Sequence, residues 1–240
     1  MQISHNKILI TGGGSGIGLG LTERFLIENN TVIICGRRVD VLESVKAKHP
    51  SVITRVCDIS VASERESLIQ WIAEAHSDLN VLINNAGIQQ WTSVTDDDFY
   101  SRIHDEIQIN IEAPVHLMAL SLKLPSLNTI INVTSGLSLC PLVKVANYSA
   151  SKAFMHSFTM SMQKELENRN IEVIEMIPPA LNTDLGGKGL HDWAPPVSGF
   201  IDAIFEQLQQ EKSHLTYGTS ESLLQANPEQ IRQAFERMNG

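Results

Sequence analysis

Seven short apolar runs, separated by longer segments of helical period, constrain this 240-residue chain more than any other feature. They are KILIT from Lys7, TVIIC from Thr31, SVITRV from Ser51, NVLIN from Asn80, TIINVT from Thr129, IEVIEMI from Ile171 and HLTYG from His214. Strand-length runs alternating with helices spell repeated βαβ units. The runs are rich in Val and Ile and lack polar alternation, as strands covered on both faces do. The expected fold is therefore α/β, a doubly wound parallel sheet of about seven strands with helices on both faces, filling residues 1–240 as a single domain. No solenoid repeat or low-complexity linker divides it.

Ligands in such sheets bind beyond the carboxyl ends of the strands, where strand order reverses. The polar and glycine-rich residues of this chain fall at those ends. After the first run comes TGGGSGIG, Thr11 to Gly18, leading directly into a helix-like segment. Gly12, Gly16 and Gly18 allow a tight turn, and the helix start offers unpaired amides and a positive dipole end to an anion such as a diphosphate. A plain tight connection is the alternative. Together these features make the sheet Rossmann-like. Where NAD-preferring folds carry an acidic residue after the second strand, this chain reads CGRR. Arg37 and Arg38 offer guanidiniums to a ribose 2′-phosphate, which favours NADP, with NAD the alternative; a solvated helix start is the plainer role. Asp58 follows the third run and suits either an adenine amino group or a helix cap. Asn84 to Gly87 follow the fourth, as amides that tie strands together and a glycine that permits close approach.

In VANYSASKAF, Tyr148 stands four residues before Lys152, one helical turn or about 6 Å along the axis. With the glycine turn and NNAG, this pair resembles the short-chain dehydrogenase/reductase family, in its compact branch, over nearly the whole chain. Looser similarity in the C-terminal third is to bacterial reductases grouped with the dehydrogenase-like protein of the D-alanine transfer operon. The resemblance implies a catalytic set of Asn110, Ser135, Tyr148 and Lys152. Lys152 would hold nicotinamide ribose hydroxyls, Ser135 would steady the substrate oxygen, and Asn110 would keep a water in a proton relay. A free tyrosine ionises near pH 10, and a neighbouring ammonium favours its phenolate. The implied cofactor contacts are Gly12, Ser15, Gly16, Ile17, Gly18, Arg37, Arg38, Asp58, Ile59, Asn85, Ala86, Gly87, Tyr148, Lys152, Pro178, Leu181 and Thr183. Pro179 stands where the family has glycine, which removes an amide donor and stiffens that turn. A surface Tyr-Lys pair, a polar helix residue at Asn110 and an N-cap at Thr183 are the plainer alternatives.

The implied activity is NADP(H)-dependent interconversion of a small carbonyl compound and its alcohol; a non-catalytic dinucleotide-binding regulatory or scaffold protein is the alternative. Substrate choice is expected in the stretches from Ile88 and Gly136 and in a glycine-rich loop near 183–197, where Trp193 reads more readily as a packing anchor than as a substrate contact. A net charge of −9 and a pI near 5.3 argue against nucleic-acid and anionic-membrane partners. Three scattered cysteines show neither metal spacing nor a disulfide framework, and apolar sequence begins too early for a signal peptide, so a cytoplasmic protein with no metal is expected. Long helices near Met118, Met155, Phe158 and Met160 suit a homodimer or homotetramer, with a monomer the alternative.

Overall fold

Each of the seven runs is a strand in the computed structural model, which describes all 240 residues. The strands are β1 (Lys7–Thr11), β2 (Thr31–Gly36), β3 (Ile53–Val56), β4 (Val81–Asn84), β5 (Thr129–Val133), β6 (Glu172–Ile177) and β7 (His214–Thr216). They form one sheet in the order β3-β2-β1-β4-β5-β6-β7, and every neighbouring pair is parallel. The helices are α1 (Gly16–Ile27), α2 (Val39–Lys48), α3 (Ala62–Ala75), α4 (Phe99–Ile107), α5 (Ala113–Ser121), α6 (Ala146–Leu166), α7 (Val197–Gln209), α8 (Thr219–Leu224) and α9 (Pro228–Asn239).

Strand alternation assigns the helices to two layers. Ile8, Ile10, Val32 and Ile34 point to one face, where they meet Phe25 of α1, Leu42 of α2 and Phe205 of α7. Leu9, Ile33 and Leu82 point to the other, against Ile72 of α3, Leu117 of α5 and Met155 of α6. Burying each such side chain contributes about 1.5–3 kcal/mol, so the two apolar layers set the strand register. Winding reverses between β1 and β4, which are hydrogen-bonded neighbours. The glycine turn after β1 and the Asn84–Gly87 stretch after β4 therefore border the same crevice.

Four details differ from the sequence expectation. The long helix from Phe99 contains a π turn at Gln108–Glu112, with Asn110 at its centre. Met118 and Met155 are core residues rather than part of an outer face; the exposed apolar side chains on α6 are Phe154 and Met160. Trp193 is 75% exposed and donates to the Leu190 carbonyl, so it is no packing anchor. The last helix acquires a role: Asn239 accepts from Val143 N–H and donates to the Pro141 carbonyl, bracing the loop that joins β5 to α6.

Candidate active site

The turn after β1 is shaped by what lies against it. Gly12 has φ +65°, and a Cβ there would lie 3.1 Å from Ala86 Cα. At Gly18 a Cβ would come within 2.2 Å of the Gly12 carbonyl oxygen and 2.5 Å of Asn85 Nδ2, so no larger residue fits without moving backbone. Asn85 clamps this turn by donating to the Thr11 and Gly12 carbonyls, while Thr11 Oγ1 accepts from the amides of Asn85 and Ala86. Ser15 is the extended N-cap of α1 and leaves the first-turn amides uncapped by its side chain. Ile17 packs against the core and fixes the helix start. Across the crevice, Thr183 lies 3.3 Å from where a Gly16 Cβ would stand. A glycine-floored channel lined by free helix-start amides fits a diphosphate.

Beyond it, a shallow cleft is lined by Gly14, Ser15, Gly36, Arg37, Arg38 and Val41. Both arginines are exposed, and Arg38 donates to Ser15 Oγ at 3.2 Å. The Asp58 carboxyl lies below its ordinary range; burial pushes it up, but the Ser60 hydroxyl and amide donate to it and Arg37 lends positive charge. One Asp58 oxygen is thus engaged in a local turn, which realises the capping alternative in part. Ile59 is a buried core residue beside it.

The other side of the crevice holds Tyr148, Lys152, Ser135 and Asn110, all at least nine-tenths buried. Tyr148 and Lys152 occupy successive turns of α6, with the Lys152 ammonium 5.7 Å from the Tyr148 ring centroid. Lys152 Nζ donates to the Val133 carbonyl at 2.8 Å. A Cβ on Gly87 would lie 3.6 Å from that Nζ and 3.2 Å from Asn110 Oδ1, which brings the β4 loop, α6 and the π turn together. Ser135, just past β5, caps a short helical turn by accepting from Leu137 N–H. Asn110 Oδ1 accepts from Ile88 N–H, and its Nδ2 donates to the Ile88 carbonyl and Ser151 Oγ. Pro178 and Leu181 follow β6; the Pro178 carbonyl accepts from Gly136 N–H, which ties that loop to the Ser135 segment despite Pro179.

Burial decides the protonation of the central pair. The Tyr148 phenol is pushed up to about 12, against the opposing interaction with the Ser135 hydroxyl and with a further push from the charge of Glu106. Burial lowers Lys152 to about 8. Desolvation at Tyr148 thus outweighs the lowering expected from the ammonium, which is aimed at the Val133 carbonyl. Two partners escaped the sequence reading: Glu106, four residues before Asn110, and Asn147, beside Tyr148. The four-residue spacing places Glu106 on the Asn110 side of the helix but carries no sign that the acid is buried.

A parallel sheet of this order, with a glycine turn at its switch point and a Tyr-Lys-Ser-Asn cluster facing that turn, defines an oxidoreductase of the dinucleotide-binding class. The chain belongs to the short chain dehydrogenase family, which residues 6–192 match and whose members use nicotinamide dinucleotides. It is 38% identical to the oxidoreductase DltE of Bacillus subtilis (strain 168), over the whole of this chain and 98% of that protein. It is 31% identical over 75% of both chains to the 3-oxoacyl-[acyl-carrier-protein] reductase FabG of Chlamydia pneumoniae. Among solved structures, a short chain dehydrogenase from Burkholderia cenocepacia J2315 in complex with NADP superposes with a TM-score of 0.85, at 24% identity and 99% coverage of both chains. No helix is long and apolar enough to cross a membrane.

Proposed function

We propose that this protein is an NADP(H)-dependent oxidoreductase that interconverts a small carbonyl compound and its alcohol, with Tyr148 as the general acid/base. The observation that carries this is the convergence of Tyr148, Lys152, Ser135 and Asn110 opposite a turn suited to a dinucleotide. The bound cofactor would supply or accept the hydride. Tyr148, held neutral by burial, gives its proton to the carbonyl oxygen during reduction and takes it back during oxidation. Ser135, beside the phenol, positions that oxygen. Lys152 stays cationic below about 8 and sits at the crevice floor where ribose hydroxyls would lie. The side chain of Asn110 is spent on Ile88 and Ser151, so any relay water falls to its backbone, which the side chain holds in place.

Preference for NADP over NAD rests on Arg37 and Arg38, two exposed guanidiniums with no carboxylate at the end of β2. The loop spanning 183–197 lies against the Ile88 stretch: a Cβ on Gly186 would stand 3.1 Å from Gln89 Oε1 and 3.3 Å from Trp91 Nε1. That pairing frames the substrate entrance. Phe154 and Met160 are exposed apolar side chains on α6 that contacts in a homodimer or homotetramer would cover, and three buried free thiols suit the cytoplasm. The test is oxidation of NADPH with a panel of aldehydes and ketones. Tyr148→Phe should lose turnover by about 10²–10⁴-fold with NADPH affinity unchanged. Retained turnover by that variant on every active substrate would refute the acid/base role.

A further inference from the structure

We propose that Glu106 is a positioning residue for Tyr148: it joins the loop after β4 to the start of α6 and holds a negative charge beside the phenol. The inference rests on Tyr148 being the acid/base, but it is read on the tyrosine itself and not on turnover.

Arg102, Glu106 and Asn110 recur at four-residue intervals along the rod that begins with α4, and each holds the Ile88–Trp91 stretch. Asn110 takes both backbone groups of Ile88. Glu106 Oε1 accepts from Gln90 N–H at 2.7 Å. Arg102 donates to Gln90 Oε1 and to the Trp91 carbonyl, and Gln90 Nε2 donates to the Arg102 carbonyl. Glu106 also reaches across: its Oε2 accepts from Asn147 Nδ2, and the next residue is Tyr148. One carboxylate therefore spans the substrate-side loop, α4 and the tyrosine helix.

This carboxylate is buried to 1% exposure and has a donor on each oxygen, yet no cation forms a salt bridge with it. The Arg102 guanidinium, one turn away on α4, is directed instead to Gln90, Trp91 and, at 3.8 Å, Asp96 and Asp98. Burial raises Glu106 above its ordinary range, opposed by Asn147, the Gln90 amide and Arg102. A neutral glutamine would avoid the cost of burying charge, but its single acceptor oxygen could keep the Gln90 amide bond only, with Asn147 turning its amide over to accept from the new NH2. What the charge adds is repulsion of a phenolate. The groups facing Tyr148 are Lys152 on its own helix, Ser135 from the end of β5 and Glu106 from α4; the loop Ile88–Trp91 brings no charge. Lys152 favours the phenolate and Glu106 favours the phenol, so the pair brackets the proton affinity of the acid/base.

The test is NMR of the full-length protein carrying ¹³Cζ-tyrosine, with NADP⁺ and without it. The chain has three tyrosines, so Tyr148→Phe assigns the signal. In Glu106→Gln the Tyr148 midpoint should fall by about half a pH unit or more, while Glu106→Asp should keep it high. In the wild type, the same resonance should also show a small inflection above the ordinary carboxylate range, as Glu106 ionises. A folded Glu106→Gln with a midpoint unchanged to within about 0.2 unit would overturn the proposal. If that variant does not fold, absence of the wild-type inflection overturns it instead. Failure to find any carbonyl substrate would count against the proposed function and leave these titrations standing.

Discussion

The two walls of the crevice are built from different materials. The wall formed by the ends of β1, β2 and β3 is backbone: a glycine turn, free helix-start amides and two arginines extended into solvent. The wall formed by the ends of β4, β5 and β6 is buried side chain: Asn110, Lys152 and Glu106, each hydrogen-bonded to a neighbouring element, and Tyr148, whose ring lies beside the Lys152 ammonium. A deeper polar group supports it from beneath, where Glu175 of β6 accepts from Thr134 Oγ1 and contacts His156 of α6. Buried polar networks are costly when partly satisfied, whereas exposed charge can change with little effect on folding. Cofactor preference and catalysis should therefore respond to substitution in opposite ways.

The largest effect on the fold is expected from Asn110→Leu. It removes three hydrogen bonds and leaves Ile88 N–H, the Ile88 carbonyl and Ser151 without their partner, costing about 3 kcal/mol in urea unfolding. A loss below about 0.5 kcal/mol would mean that the π turn holds without its side chain.

Lys152→Met sharpens the contrast, because it should separate stability from activity. Lys152 ionises near 8 in the folded protein, below its ordinary value of 10.5. Below about 8 the folded state therefore bears the full cost of charging a buried amine, and that cost is lifted as pH rises toward 10.5. Set against the orphaned Val133 carbonyl, removal of the amine should stabilise the cofactor-free protein at pH 7 by about 1–2 kcal/mol. The advantage should vanish by about pH 10.5, while turnover is lost. Denaturant midpoints at pH 7 and pH 10 check both signs.

The smallest effect on stability belongs to the exposed wall. Replacing both arginines, Arg37→Ser with Arg38→Ser, should leave unfolding within about 0.5 kcal/mol of the wild type. The ratio of NADPH to NADH affinity, measured by calorimetry, should nevertheless fall by about tenfold or more. An unchanged ratio would strip the arginines of their role.

Legibility in the sequence follows the same division. Strands buried on both faces leave uninterrupted Val and Ile runs, and all seven were readable, as were the glycine turn and the Tyr148–Lys152 spacing. The end of β7 was overread by two residues because Tyr217 and Gly218 have strand-compatible neighbours, whereas Gly218 adopts φ +57° to start α8. The π turn left no trace, since its residues suit an α-helix equally well. Glu106 was missed because a lone acid in a helix reads as a solvated face; only the tertiary approach of Gln90 and Asn147 buries it. Met118 and Met155 were misplaced for the converse reason, their helices α5 and α6 carrying apolar or small residues on more than one side.

The most direct test of a dinucleotide oxidoreductase with a backbone-built cofactor wall is thermal unfolding with matched concentrations of NADPH and NADH. A ligand at 100 times its Kd stabilises by about 2.7 kcal/mol and needs no chosen substrate. A clear upward shift of Tm with NADPH, larger than with NADH, is the predicted result. No shift with either nucleotide, or a larger one with NADH, would contradict it.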